Sequence, residues 1–216
     1  MRGTLALTLL LAACSGNTVT FPGTDTRQLF PFDGDRTWTY QSTDTTYPFL
    51  LDGELLAGSE EIDGRNVYTV NYFKDCQRSD PTCTDGDLFF ALRFSNVDPG
   101  GIYIHGYDPG DGNKDLSPPL VVLEDEASTE DVLETTTAGI AFETEYLGQA
   151  GCGELIAIST DWTCHGIDIR GDVDLFPVTA TIQAVAGQGI VNFQFAGETD
   201  QWQLLSSTQD DADGVW

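Results

Sequence analysis

The sequence predicts an all-β domain: an antiparallel, curved sheet of roughly ten strands, built as an open barrel or a sandwich, with at most one short helix. Three observations predict it. Apolar side chains alternate with polar ones at period 2 over most of the chain, which is the signature of half-buried strands. Turn pairs such as Asp63-Gly64, Asp85-Gly86, Gly171-Asp172 and Gly187-Gln188-Gly189 separate the runs at short spacing. No long stretch keeps a helical period, while 40% hydrophobic and 11% aromatic residues supply enough material for one core.

The chain opens differently. Met1-Arg2 brings a positive charge, and Thr4 to Ala13 is a nearly unbroken apolar run. It is too short to cross a bilayer as a helix, which takes about 20 residues, and it has the layout of a secretory signal. Leu11-Ala12-Ala13-Cys14 resembles the lipobox of bacterial lipoproteins. The resemblance implies that residues 1–13 are a signal peptide, that Cys14 is lipidated and that it becomes the first residue after cleavage. Two or more acyl chains anchor stably where one binds reversibly. An ordinary signal peptide with a coincidental cysteine is the alternative. Residues 14–28, rich in Gly, Thr, Asn and Pro, read as a flexible tether.

Residues 29–207 are expected to form a single all-β domain, and 208–216 an acidic disordered tail. Trp38 and Tyr40 share one face against Thr37 and Thr39; Tyr68, Val70 and Tyr72 repeat the pattern, as do Leu88, Phe90, Leu92 and Phe94. Ile102 and Ile104 alternate with Tyr103, His105 and Tyr107, so both faces of that strand carry large groups and it could line a ligand groove. Leu120 to Leu123 is a short apolar run behind Pro118-Pro119. Later strands are expected around Ile140–Tyr146, Ile156–Trp162, Val178–Ala184, Val191–Phe195 and Trp202–Leu205. Asp52-Gly53 reads as a turn. Ser128 to Leu133 reads as the one short helix, with Ser128 as N-cap and acidic residues in its first turn.

The entry Phe30-Pro31-Phe32, Gly34, Trp38-Thr39-Tyr40 resembles the start of a diffuse class of secreted bacterial proteins and lipoproteins. Gly64 to Val70, Gly101-Ile102-Tyr103, Gly187 to Val191 and Leu204-Leu205 match later motifs of the class. Phe32 and Arg36 depart from its commoner Leu and Asn. The resemblance implies a β-rich exported domain and offers no active residues.

Four cysteines follow Cys14: Cys76, Cys83, Cys152 and Cys164. In an exported chain an even number reads as disulfides, and four allow three pairings. The local pairing, Cys76 with Cys83 and Cys152 with Cys164, is preferred because each pair brackets a stretch that can turn back on itself. A zinc site using His165 beside Cys164 is the competing reading, with no standard ligand spacing behind it.

Charge narrows the partners. Thirty-five acidic residues against nine basic ones give a net charge of −26. Such a surface repels nucleic acid, whose binding rests on phosphate neutralisation, and it repels anionic headgroups, so attachment to a membrane would fall to the lipid on Cys14. Asp108, Asp111, Asn113 and Asp115 lie in a Gly-rich stretch and are a candidate calcium site. Leu116 and Val122 stand where an EF-hand needs Gly and Glu, so it is not that motif. No H-E-x-x-H or G-x-S-x-G occurs, and no catalytic residue is assigned. The sequence thus points to a lipid-anchored, monomeric, non-enzymatic protein of the bacterial cell envelope, at the outer membrane ahead of the inner, on its periplasmic or surface face. Its role would be binding or structural, without a cofactor unless calcium. The alternatives are a carrier of a lipid or small hydrophobic ligand in an open barrel, and a calcium-dependent adhesion module. Growth with an alkyne fatty acid should label the protein, and Cys14→Ser should abolish the label; persistent labelling would refute lipidation at Cys14.

Overall fold

The computed structural model describes residues 26–32, 36–43, 50–75, 87–97, 100–125, 127–129, 131–152 and 162–208. A one-turn helix, α1 (Thr26–Leu29), is followed by thirteen strands: β1 (Thr37–Ser42), β2 (Leu50–Leu55), β3 (Glu60–Ile62), β4 (Arg65–Asp75), β5 (Asp87–Val97), β6 (Gly101–Asp108), β7 (Lys114–Glu124), β8 (Val132–Thr137), β9 (Ile140–Gly151), β10 (Thr163–Gly171), β11 (Ala180–Val185), β12 (Gly189–Phe195) and β13 (Trp202–Ser207). They form one antiparallel sheet in the order β7-β6-β5-β4-β2-β1-β13-β12-β11-β10-β9-β8, with β3 continuing the pairing on β4 beyond β2. Apart from β2, which pairs β4 past the short β3, neighbours in the sheet are neighbours along the chain except at β1 and β13, where the first strand pairs with the last from Trp38 opposite Ser207 to Ser42 opposite Trp202. The two edges, β7 and β8, pack against each other, so the sheet is a nearly closed barrel. Thr144 Oγ1 spans that seam to Val121 O at 2.9 Å, while the buried hydroxyls of Thr135 and Thr137 on β8 find no partner among the described residues.

Alternation decides which side chains go inside. Trp38, Tyr40, Leu51, Leu55, Val70 and Tyr72 are buried, while Thr37, Asp52 and Glu54 face out. The barrel is flattened. β5 and β12 lie on opposite walls, yet the Phe90 ring lies 5.3 Å from Phe195, and it stacks on Tyr72 at 4.3 Å. Tyr40 meets Phe193 edge-on at 5.1 Å and donates its hydroxyl to Ile190 O at 2.9 Å, so the buried phenol is satisfied. α1 contacts β5, β6, β11 and β12, which belong to opposed walls, and so plugs one end. Thr26, in the stretch expected as tether, is buried, and its hydroxyl bonds Asp125 at 2.5 Å.

Several local expectations are corrected. Ser128 to Leu133 is not a helix. Ser128 N and Oγ bond Asp131 Oδ2 at 3.0 and 2.8 Å as a cap would, but the chain turns straight into β8, where Val132 and Thr135 to Thr137 favour an extended backbone. Asp52-Gly53 is not a turn but the middle of β2. A Cβ on Gly53 would sit 3.1 Å from the Tyr72 ring, which lies across it. The run at Leu120 belongs to a longer strand that starts at Lys114. Thr163–Gly171, where no strand is expected from the sequence, is β10, its Ile167 and Ile169 buried. Ile156 and Ile158 lie outside the described residues. Of the double-faced strand, Ile102, Ile104 and Tyr107 join the core, whereas Tyr103 and His105 belong to the outer face.

Because Phe90 touches both walls, Phe90→Ala should cost about 3–5 kcal/mol of stability, the usual loss for a buried aromatic in a tightly packed site. Chemical denaturation measures it, and a loss below about 1 kcal/mol would show that the interior is not packed in this way.

Candidate functional site

Among the described residues the interior leaves little space. A void lined by Phe30, Trp38, Tyr40 and Tyr72 among others holds about 20 Å³, room for about one water. The space lies outside, over β4, β5 and β6, where a groove of about 1180 Å³ opens on the outer face.

A register shift builds it. Ile104 pairs with Leu120 and Gly106 with Asp115, so residues 116–119 of β7 loop out where β6 offers only His105. The close approach beside it needs Gly106, since a Cβ there would fall 2.7 Å from Lys114 O. The looped-out segment, Leu116 to Pro119, and the β6–β7 hairpin make one wall. Leu56, Glu60, Ile62 and Asp63 make the other, and Thr69, Asn71, Ala91, Arg93 and His105 form the floor. Leu56 and Leu88 are exposed at the rim.

Arg93 ties the two walls together. One guanidinium nitrogen reaches Glu60 at 2.8 Å and the other Asp115 at 2.6 Å. The Arg93 side chain is 13% exposed while its partners are 68% and 78% exposed, so the cation sits on the floor and the carboxylates on the lips. Such half-wet pairs add about 0–1 kcal/mol each; their effect here is to set the width of the groove. His105 is buried, and its Nε2 lies 2.7 Å from Ser95 Oγ. Burial holds its pKa below the usual value, with Arg65 and Arg93 adding to the shift and Asp63 opposing it. The imidazole is therefore neutral at pH 7. Ser95 is wholly buried beneath it, so a molecule in the groove meets the imidazole and not the hydroxyl. Arg65 lies 4.1 Å from the centre of the Tyr103 ring on the same face.

The candidate calcium residues share this neighbourhood with other partners. Asp108 Oδ1 accepts from the backbone of Gly110 and Gly112 at 2.8 and 2.9 Å, Asp111 pairs with Lys114 at 2.9 Å, Asp115 holds Arg93, and Asn113 lines the groove. Among the described residues no three His, Cys, Asp or Glu side chains converge as metal ligands. Cys152 and Cys164 form a disulfide, as the local pairing expects, with Cα atoms 5.0 Å apart at the end of β9 and β10. The zinc alternative loses its thiolate to that bond. His165 instead has Tyr146 OH at 3.1 Å from Nδ1, burial holding the imidazole pKa down and pushing the phenol up to about 12. Cys14, Cys76 and Cys83 lie outside the described residues. Sequence reasoning missed Arg93, Ser95, Glu60 and Asn71: each is one polar residue on the outward side of a strand, and only Pro118-Pro119 hinted at an interrupted strand. Comparison with known proteins finds no family model, no curated protein and no solved structure that matches the chain.

The lowered pKa of His105 and His165 makes stability depend on pH. As pH falls through 6.5, the ordinary value, the unfolded chain takes protons that the folded imidazoles refuse, so stability drops below that pH and levels off once the folded histidines titrate. In an NMR titration both imidazoles should show midpoints below 6.5, and a midpoint at or above it for His105 would contradict the buried Ser95–His105 pair.

Proposed function

We propose that this chain is a lipid-anchored, monomeric binding module of a bacterial cell envelope, tethered through Cys14, that recognises its partner on the outside of a filled barrel and performs no chemistry on it. One observation carries the reading: the aromatic walls meet through the interior and leave a void of about 20 Å³, while the outer face holds a groove of about 1180 Å³. The Leu11 to Cys14 motif supports the anchor, and the disulfide supports an oxidising compartment. Glu60, Asp63, Asp108 and Asp115 outnumber Arg93 around the groove, which favours an extended segment carrying positive charges. Its mixed apolar and polar lining suits a peptide better than an acyl chain, which would demand a dry, continuous apolar cavity.

Fractionation and extraction test the reading together. The wild-type chain should sediment with membranes, and Cys14→Ser should release it to the soluble fraction. Organic extraction of the released protein should yield no stoichiometric lipid by mass spectrometry. A stoichiometric apolar molecule would overturn this reading in favour of a carrier, and a Cys14→Ser chain that still sediments would overturn the anchor.

A further inference from the structure

Away from the groove, a depression of about 230 Å³ lies on the outer face of β9 to β12. None of its lining residues is charged, although charged residues make up 20% of the chain. Its polar groups are carboxamides and one hydroxyl: Gln183, Asn192, Gln194, Gln201 and Thr181. Pairing aligns them, with Gln183 opposite Asn192 and Thr181 opposite Gln194 across β11 and β12.

The hydrogen bonds already made define what remains. Asn192 Nδ2 donates to Gln183 Oε1 at 2.9 Å, Gln194 Nε2 donates to Glu198 O at 2.8 Å, and Gln201 Oε1 accepts from Gln203 Nε2 at 3.5 Å. Left without a partner among the described residues are the donors Gln183 Nε2 and Gln201 Nε2 and the acceptors Gln194 Oε1 and Asn192 Oδ1. Asn192 Oδ1 is buried with no donor, an arrangement that normally costs free energy until something supplies one.

Thr181 Oγ1 already donates to Asp168 Oδ1 at 2.7 Å, so the carboxamides carry the free groups. A carboxylate in this site could use only the donors and an ammonium only the acceptors, and no lining residue carries a charge to hold either. A hydroxyl both donates and accepts, so adjacent hydroxyls on one uncharged ring match the whole set. Leu147, half exposed, lies against Gly166, where a Cβ would come within 3.0 Å of it, and offers an apolar wall for the C–H face of such a ring. The volume is below the roughly 300–1,000 Å³ of pockets that hold drug-sized ligands, so it fits one ring and not a chain of them. We propose that this depression is a binding site for a single neutral sugar ring. It stands independently of the groove and of the anchor.

The test uses the full chain in detergent and four probes: glucose, galactose, mannose and N-acetylglucosamine, with acetate as the charged comparison. At least one sugar should shift the side-chain amide resonances of Gln183, Gln194 and Gln201 saturably at millimolar concentration. Gln194→Leu and Gln201→Leu, both at part-exposed positions, should each weaken that binding about tenfold while circular dichroism stays unchanged. No saturable shift with any of the four sugars, shifts as large with acetate, or binding that survives both substitutions would overturn the proposal.

Discussion

The pairing of the first strand with the last is the constraint on which the rest of this structure depends. β1 is flanked by β2 on one side and β13 on the other, and without that second neighbour the meander would stay an open sheet with a free edge at its middle. Two side chains secure the closure from within. Trp38 Nε1 donates to Gln188 O at 2.8 Å and Tyr40 OH to Ile190 O at 2.9 Å, both reaching β12 or the turn before it. These contacts join residues 150 positions apart, so the chain must close a long loop before its core is rewarded. The remaining gap falls between β7 and β8, which are consecutive in the chain and stay together without a full ladder.

Closure of so many strands would ordinarily enclose a lumen, since barrel diameter grows with strand number. Here aromatic bulk on facing walls fills it, and the barrel flattens until Phe90 meets Phe193 and Phe195. With the interior filled, the open space described lies on the outer face, where interruptions in the ladder provide it. The loop-out of residues 116–119 against His105 makes the groove, and the small residues Gly148, Ala150 and Gly166 leave the depression over β9 to β12. The two differ in kind: the first is acidic and buckled by Arg93, the second carries no charge.

The architecture was legible because burial enforces alternation, and alternation survives in the letters. Trp38-x-Tyr40, Tyr68-x-Val70-x-Tyr72 and Phe90-x-Leu92-x-Phe94 all point inward as expected, but Leu88, expected on the same face, lies past a register shift and is exposed at the outer groove. The failures have physical causes. Asp52-Gly53 looks like a turn because Gly permits one, but in β2 glycine is used for the close packing of the Tyr72 ring. Ser128 and Asp131 look like a helix start because a cap box and a tight turn use the same bonds, and only the β-branched run behind them decides. The groove was illegible because Arg93, Ser95 and His105 form a site only through a register shift between β6 and β7, a property of two strands that neither carries alone.

Charge placement follows from the same alternation. With the inward positions apolar, most of the carboxylates must share the outer face, and like charges come into register: Glu134 stands opposite Glu143, and Glu145 opposite Asp168. The few cations sit where they relieve this most. Arg170 bonds both Glu145 and Asp168, and Arg93 both Glu60 and Asp115. Each arginine is thus shared between carboxylates of two strands, which Lys, a compact point charge, does less well. Each cluster still keeps one net negative charge, and the molecule as a whole carries −26. That charge repels other copies of the chain at low salt, where screening is weak. Against such a background the lining of the depression over β9 to β12 carries no charged side chain, and the neighbouring carboxylate of Asp168 is held by Arg170 and Thr181.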